Sequence, residues 1–327
     1  MKRREFITLL GGAAAAWPLP LIAQQGDRVQ RIARVGILNY AEAHDIRVRQ
    51  FLSALRELGY VESKNLTVTH RWADGVLDRL PELAAELVAS KVDVIIALGP
   101  AVWAAKRTTT TVPIVIAFSG DPVGDGVVAS LARPGGNITG FSYMSTDLAA
   151  KRLELLSKTF SKNNRIAILY NPPEPATRLE MQETQAAART LGVTVQPLET
   201  RHPDELEQAF TAAVRERADA LLVFTHGFAV LNRARIMELA ARHGLPTLYG
   251  WRDFVDEGGL MSYGPDIQVL VRRAASYVDR IIRGEKPGDL PIEQPARLQL
   301  AINLKTAKAL GLDVPPTLLA RADDVIE

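Results

Sequence analysis

The sequence contains no cysteine. That excludes disulfide cross-links, thiol nucleophiles, cysteine-ligated metal centres and a lipid-anchored cysteine. Histidine is scarce. His44, His70, His202, His226 and His243 are the five, and none stands in the HExxH spacing that sets two imidazoles on one helix face for a metal. No GxSxG elbow frames a nucleophilic serine. Gly124-Asp125-Gly126 and Pro134-Gly135-Gly136 match neither GxGxxG nor a Walker A loop. Catalytic residues, a metal site and a cofactor are therefore all expected to be absent.

Charge of one sign is also lacking. The chain has 39 Lys and Arg against 37 Asp and Glu; setting aside Lys2, Arg3, Arg4 and Glu5 leaves 36 of each. No basic surface interleaved with aromatics is visible, so nucleic acid is not an expected partner. Long apolar runs are missing as well. The uncharged stretch at residues 6–16 falls well short of the ~20 residues a spanning helix needs. It follows Lys2, Arg3 and Arg4 and precedes Trp17-Pro18-Leu19-Pro20, with Ala23 ahead of Gln24. A positive start, a short apolar core and a small residue at the cut describe a signal peptide over residues 1–23. Arg3-Arg4 followed by Glu5-Phe6-Ile7 resembles a twin-arginine export signal. The mature chain is expected in the periplasm.

What is present is ordinary globular material, 47% hydrophobic and 23% charged, without a low-complexity tract. About 300 mature residues suffice for one large α/β domain or two smaller ones. Apolar strand-like runs at 32–38, 66–71, 92–98 and 113–118 alternate with amphipathic helical stretches. Continuous apolar strands separated by helices indicate a parallel sheet covered on both faces. The pattern then recurs about 130 residues later: strands at 165–170, 193–198, 218–224 and 246–249, a helix over 178–191 stopped by Gly192, and another over 203–217. Two similar βαβα lobes follow from this. The chain continues through a strand at 260–263, a long helix over 267–283, a Pro-rich connector at 291–295, a strand at 298–303 and a helix at 304–310. The expected fold is two Rossmann-like α/β lobes with parallel sheets, joined by a multi-crossing hinge. Residues 30–142 plus 265–290 form one lobe, and 143–264 plus 291–327 form the other. Gly135-Gly136-Asn137 reads as a turn joining them. Such a hinge suits closure over a ligand.

In parallel α/β sheets ligands bind beyond the carboxyl ends of the strands. Those ends carry Tyr40, then Gly99-Pro100-Ala101, then Ser119 and Asp121 in the first repeat. The second repeat has Tyr170-Asn171, Thr225-His226 and Tyr249-Gly250-Trp251. Aromatics supply buried area and a few polar groups fix orientation. Asp121 reads two ways, as a cap for a helix beginning near Gly124 or as a partner for a ligand ammonium. Ser119 and Asn171 are equally consistent with turn roles.

Several stretches carry a resemblance. They are Gly120-Asp121-Pro122-Val123-Gly124, Leu131-Ala132-Arg133-Pro134-Gly135-Gly136-Asn137-Ile138-Thr139-Gly140 and Gly258-Gly259-Leu260-Met261-Ser262-Tyr263-Gly264, with the tail Ile302-Asn303-Leu304-Lys305-Thr306-Ala307. The sequence resembles the ABC-transporter substrate-binding family whose members include proteins of tryptophan and tyrosine uptake. The resemblance implies a type I periplasmic-binding fold with three interlobe crossings and no catalysis. It implies a pocket at Tyr40, at the Gly99-Pro100-Ala101 loop, and at the Ser119–Asp121, Asn171 and Thr225 loops. Pro100 departs from the small hydroxyl residue usual there and removes a donor. His226-Gly227 departs from the expected acidic or amide residue. The implied partners are a small-molecule ligand, an amino acid or an aromatic or carboxylate compound, and an ABC permease in the inner membrane. The expected working unit is a monomer. A ligand-sensing role for a membrane receptor uses the same clamp, and a cofactor-dependent enzyme would need a nucleotide fingerprint.

Overall fold

A computed structural model describes residues 32–43, 45–160, 162 and 164–327. The expected export signal at 1–23 and His44 lie outside the described residues. Among those described, no helix is long and apolar enough to cross a membrane.

The first elements are β1 (Ala33–Asn39), α1 (Ile46–Glu57), β2 (Leu66–Trp72), α2 (Leu80–Ala89), β3 (Val94–Leu98), α3 (Ala101–Thr108), β4 (Ile114–Ser119) and β5 (Ile138–Ser142). Their strands make a parallel sheet in the order β2-β1-β3-β4-β5. Every residue of β3 and β4 is buried, because helices cover both faces. α1 shows how the sequence sets an element. Asp45 caps it by accepting from the Arg47 N–H at 3.0 Å, its Val48, Phe51, Ala54 and Leu55 face inward, and Gly59 takes a φ of +93° just beyond its end.

After α4 (Ser145–Phe160) come β6 (Arg165–Tyr170), α5 (Pro175–Leu191), β7 (Thr194–Glu199), α6 (Leu206–Arg215), β8 (Ala220–Val223), α7 (Gly227–Leu231), α8 (Arg233–Arg242), β9 (Thr247–Tyr249), α9 (Arg252–Asp256) and β10 (Met261–Gly264). α10 (Ile267–Ile282) then returns to pack on α1 and β4 of the first lobe. β11 (Gln299–Asn303), α11 (Leu304–Ala309), α12 (Pro316–Leu319) and β12 (Asp324–Ile326) rejoin the second. Its sheet runs β12-β11-β10-β9-β8-β6-β7. The duplication is thus a matter of topology: β2-β1-β3-β4-β5 and β7-β6-β8-β9-β10 share one strand order.

The chain crosses between lobes after β5, after β10 and again ahead of β11. Three details depart from the sequence reading. Gly135 and Gly136 do not join the lobes; they precede β5, which still belongs to the first sheet. The residues from 291 do not pass at once to the second lobe. Ile292 donates to the Leu131 carbonyl and Glu293 to that of Gly140, at 2.7 and 2.9 Å, so this segment runs beside β5 before crossing. The second sheet is not wholly parallel, since β11 enters antiparallel to β10. A strand reached by crossing from the other lobe is free of the right-handed helical crossover that enforces parallel pairing.

Candidate ligand-binding site

The carboxyl ends of β1, β3 and β4 face those of β6, β8 and β9, and a recess lies between the lobes. It encloses about 620 Å³ of space outside protein atoms, open water at its mouth included. Its floor is aromatic. The Phe118 and Trp251 rings meet edge to face at 5.5 Å, and Tyr143 and Trp251 at 5.6 Å. Phe118 comes from the first lobe and Trp251 from the second, so their contact joins the two cores into one apolar cluster. Tyr143, at the first crossing, donates its hydroxyl to the Thr225 carbonyl at 2.8 Å. Tyr40, the residue after β1, stands against Gly227 of the opposite lobe.

Polar groups enter this frame at few points. Asp45 accepts from Arg47 Nε at 2.8 Å and from Asn39 Nδ2 at 2.9 Å. Burial alone would raise the Asp45 carboxyl, but the Arg47 charge and these hydrogen bonds hold it below its ordinary range. Arg47 is thereby fixed with its guanidinium 5.7 Å from the Phe118 ring centre and 5.6 Å from that of Trp251. It borders the recess on one side and a broader, charged outer basin on the other. In the second lobe the buried Glu174 accepts from the Gly227 and Phe228 N–H groups at 2.8 Å each. Its carboxylate also lies 3.1 Å from His226 Nδ1. The Ala229 N–H approaches the same Nδ1 at 3.3 Å, so this nitrogen is engaged from both the carboxylate and the start of α7. His226 Nε2 and Trp251 Nε1 are both buried without a hydrogen-bond partner.

Tyr40, Gly99, Pro100, Ser119 and His226 line the recess. Six other residues singled out from the sequence lie elsewhere. Ala101 is fully buried in the first-lobe core. Asp121 Oδ1 accepts from the Gly124 N–H at 2.8 Å, closing a turn where the sequence suggested the start of a helix. Tyr170 donates to Glu199 at 2.8 Å at the outer end of its strand pair; its phenol is pushed up to about 12 by burial and then by Glu199. Asn171 is buried beneath the α5 start, where its carbonyl accepts from Thr177. Thr225 is buried with its hydroxyl against Gly250. Tyr249 stacks on Phe254 at 4.5 Å in the second-lobe core. These side chains turn into a lobe core, into a turn or along the strand pair, because neighbouring residues at a strand end point in opposite directions.

Sequence reasoning passed over Arg47, Trp103, Phe118, Asp125, Tyr143 and Glu174, all of which border the recess. Arg47 and Glu174 carry a detectable signal, each lying just beyond a strand end at a helix start. Asp125 carried the wrong one, since Gly124-Asp125-Gly126 drew attention only as a poor nucleotide loop.

A sequence profile described as ABC transporter substrate binding protein matches residues 34–326. The chain belongs to that family. This substrate-binding protein is 28% identical, over 264 residues, to a tyrosine-binding protein of Clostridioides difficile strain R20291, covering 80% of this chain and 75% of the relative. Among solved structures it is similar to a conserved domain protein of Vibrio cholerae O1 biovar El Tor, with a TM-score of 0.84 and 26% identity over 90% of this chain and 100% of that one. It is also similar to the ABC domain from Streptococcus pneumoniae in complex with L-Trp, with a TM-score of 0.81 and 24% identity over 89% of this chain and all of the other. The substrate-binding protein thus has the type I periplasmic-binding fold.

Proposed function

We propose that this chain is the exported solute-binding component of an ABC importer. It holds an aromatic, carboxylate-bearing small molecule, an aromatic amino acid foremost, and presents it to an inner-membrane permease without altering it. One observation carries the reading: aromatic rings from both lobes enclose a recess whose rim holds the Arg47 guanidinium between Phe118 and Trp251. Rings offer a flat apolar body its contact area, and a fixed guanidinium offers a carboxylate paired N–H groups. The relatives that bind tyrosine and L-Trp support the same ligand class. The leader at residues 1–23 supports export, and the working unit is a monomer acting in the periplasm.

The test is a thermal-shift and calorimetric screen of the mature protein against L-tyrosine, L-tryptophan, L-phenylalanine, aromatic acids and sugars. Tight binding stabilises the folded state by mass action. Stabilisation by an aromatic acid or amino acid, weakened about tenfold or more in Arg47→Ala, is the expected result. Stabilisation by sugars alone, or an undiminished response in Arg47→Ala, would discard this ligand class.

A further inference from the structure

Asp125 is the recess residue whose chemistry is incomplete. It sits in the turn after β4, with its N–H donating to the Asp121 carbonyl at 2.9 Å. Its side chain borders the recess beside Gly120 and Tyr143 and faces Pro175 at the start of α5. Both carboxylate oxygens are shielded from water, and neither accepts a hydrogen bond. The contrast with Glu174 in the same recess is direct, because Glu174 takes two backbone N–H groups and an imidazole. A shielded carboxylate without partners is costly to bury.

Its charged surroundings do not relieve it. Asp121 lies in the same turn, and Glu174 and His226 also line the recess. Arg178 on α5 and Arg107 on α3 line a neighbouring open pocket together with Asp125. Arg178 lowers the Asp125 carboxyl somewhat by its charge, yet does not hydrogen-bond to it. Burial, then Asp121, push the carboxyl up to about 6. Two other polar atoms of the recess, Trp251 Nε1 and His226 Nε2, are likewise unpaired.

Resting on the aromatic-ligand reading above, we propose that Asp125 is the specificity-determining residue of the site, requiring the ligand to carry a protonated amine. The amine donates to the Asp125 oxygens and replaces the water that closure removes. Arg47, held over the Phe118 and Trp251 rings, and the Trp251 Nε1–H then take the carboxylate end. A ligand lacking the amine leaves Asp125 charged and unpaired, or forces it to take up a proton. Selectivity follows from the cost of that unpaired group, as it does wherever a buried polar site rejects an analogue lacking its partner. Asp121, which the sequence offered for this role, is already engaged with Gly124.

The test uses matched pairs by calorimetry at pH 7.5: L-tyrosine against 3-(4-hydroxyphenyl)propionate, and L-tryptophan against indole-3-propionate. The wild-type protein should prefer the amine-bearing member of a pair by roughly tenfold to a hundredfold. Asp125→Asn should reduce that preference to within about threefold while retaining the melting transition. Arg178→Gln should leave the preference intact; its loss there would reassign Asp125 to a latch between the lobes. A purely structural role for Asp125 would weaken both members of a pair equally and overturn the proposal. Equal binding of both members by the wild type would also overturn it while leaving the aromatic-ligand reading in place. Silence of all four compounds would remove that reading and this inference together.

Discussion

Gly227→Ala isolates the closure of the two lobes from the stability of either. A Cβ at residue 227 would lie 2.4 Å from Tyr40 Cδ1 and 2.7 Å from Cε1, about 1 Å inside ordinary van der Waals contact. Gly227 does not use a positive φ, so alanine meets no backbone strain there. Tyr40 belongs to the first lobe and Gly227 to the second, and the clash exists only when they meet. Tyr40 cannot turn aside cheaply, being only 5% exposed with its carbonyl held by the Gly75 N–H at 2.8 Å. Overpacking of this kind costs about 1–3 kcal/mol, here charged to the closed state alone. Ligand affinity should fall roughly tenfold to a hundredfold, read by calorimetry with L-tyrosine and L-tryptophan. The unliganded melting temperature should move by less than about 2 °C. An unchanged affinity would refute the argument, because closure would not need that contact. So would a drop of several degrees without ligand, because the lobes would then form one rigid body.

Three further outcomes are expected. The fully buried Arg152–Glu180 pair, 3.0 Å apart, makes Arg152→Ala or Glu180→Ala cost about 3–5 kcal/mol, whereas the double change Arg152→Met/Glu180→Leu is close to neutral; urea unfolding measures both. Glu174→Gln sets its amide NH2 against one of the Gly227 and Phe228 donors, whichever the amide oxygen does not face, and should cost about 1–3 kcal/mol by the same assay. Asp125→Asn should raise the unliganded stability at pH 7.5, since it removes a charge that burial disfavours. The sign follows from the carboxyl lying near 6 when folded against its ordinary 3.8. The folded state binds the proton more tightly, so wild-type stability rises as pH falls through that window and the gap to Asp125→Asn closes. A gap that instead widens from pH 7.5 to 4.5 would contradict the assigned burial.

The duplicated lobes, the parallel strand runs and the return of α10 were legible because each is a local pattern. Period-two and period-3.6 runs, Gly59 and Gly192 after helices, and a recurrence near 130 residues need only a few neighbours to be read. β5 and α4 escaped the same reading. The Gly135-Gly136 turn ahead of β5 resembles a linker, and only its pairing with β4 makes it an inner feature of the first lobe.

The sequence by itself determined the fold class, the absence of cysteine chemistry and the places where strands end. Which side chain at each end faces the recess was a tertiary decision. Tyr40 and Tyr249 both close strands, yet one meets the opposite lobe while the other stacks on Phe254 in its own core. Asp121 and Asp125 share one turn, but only the second reaches the recess. The physical reason is that a strand end and a tight turn send neighbouring residues in opposite directions, and which direction is inward depends on where the other lobe stands.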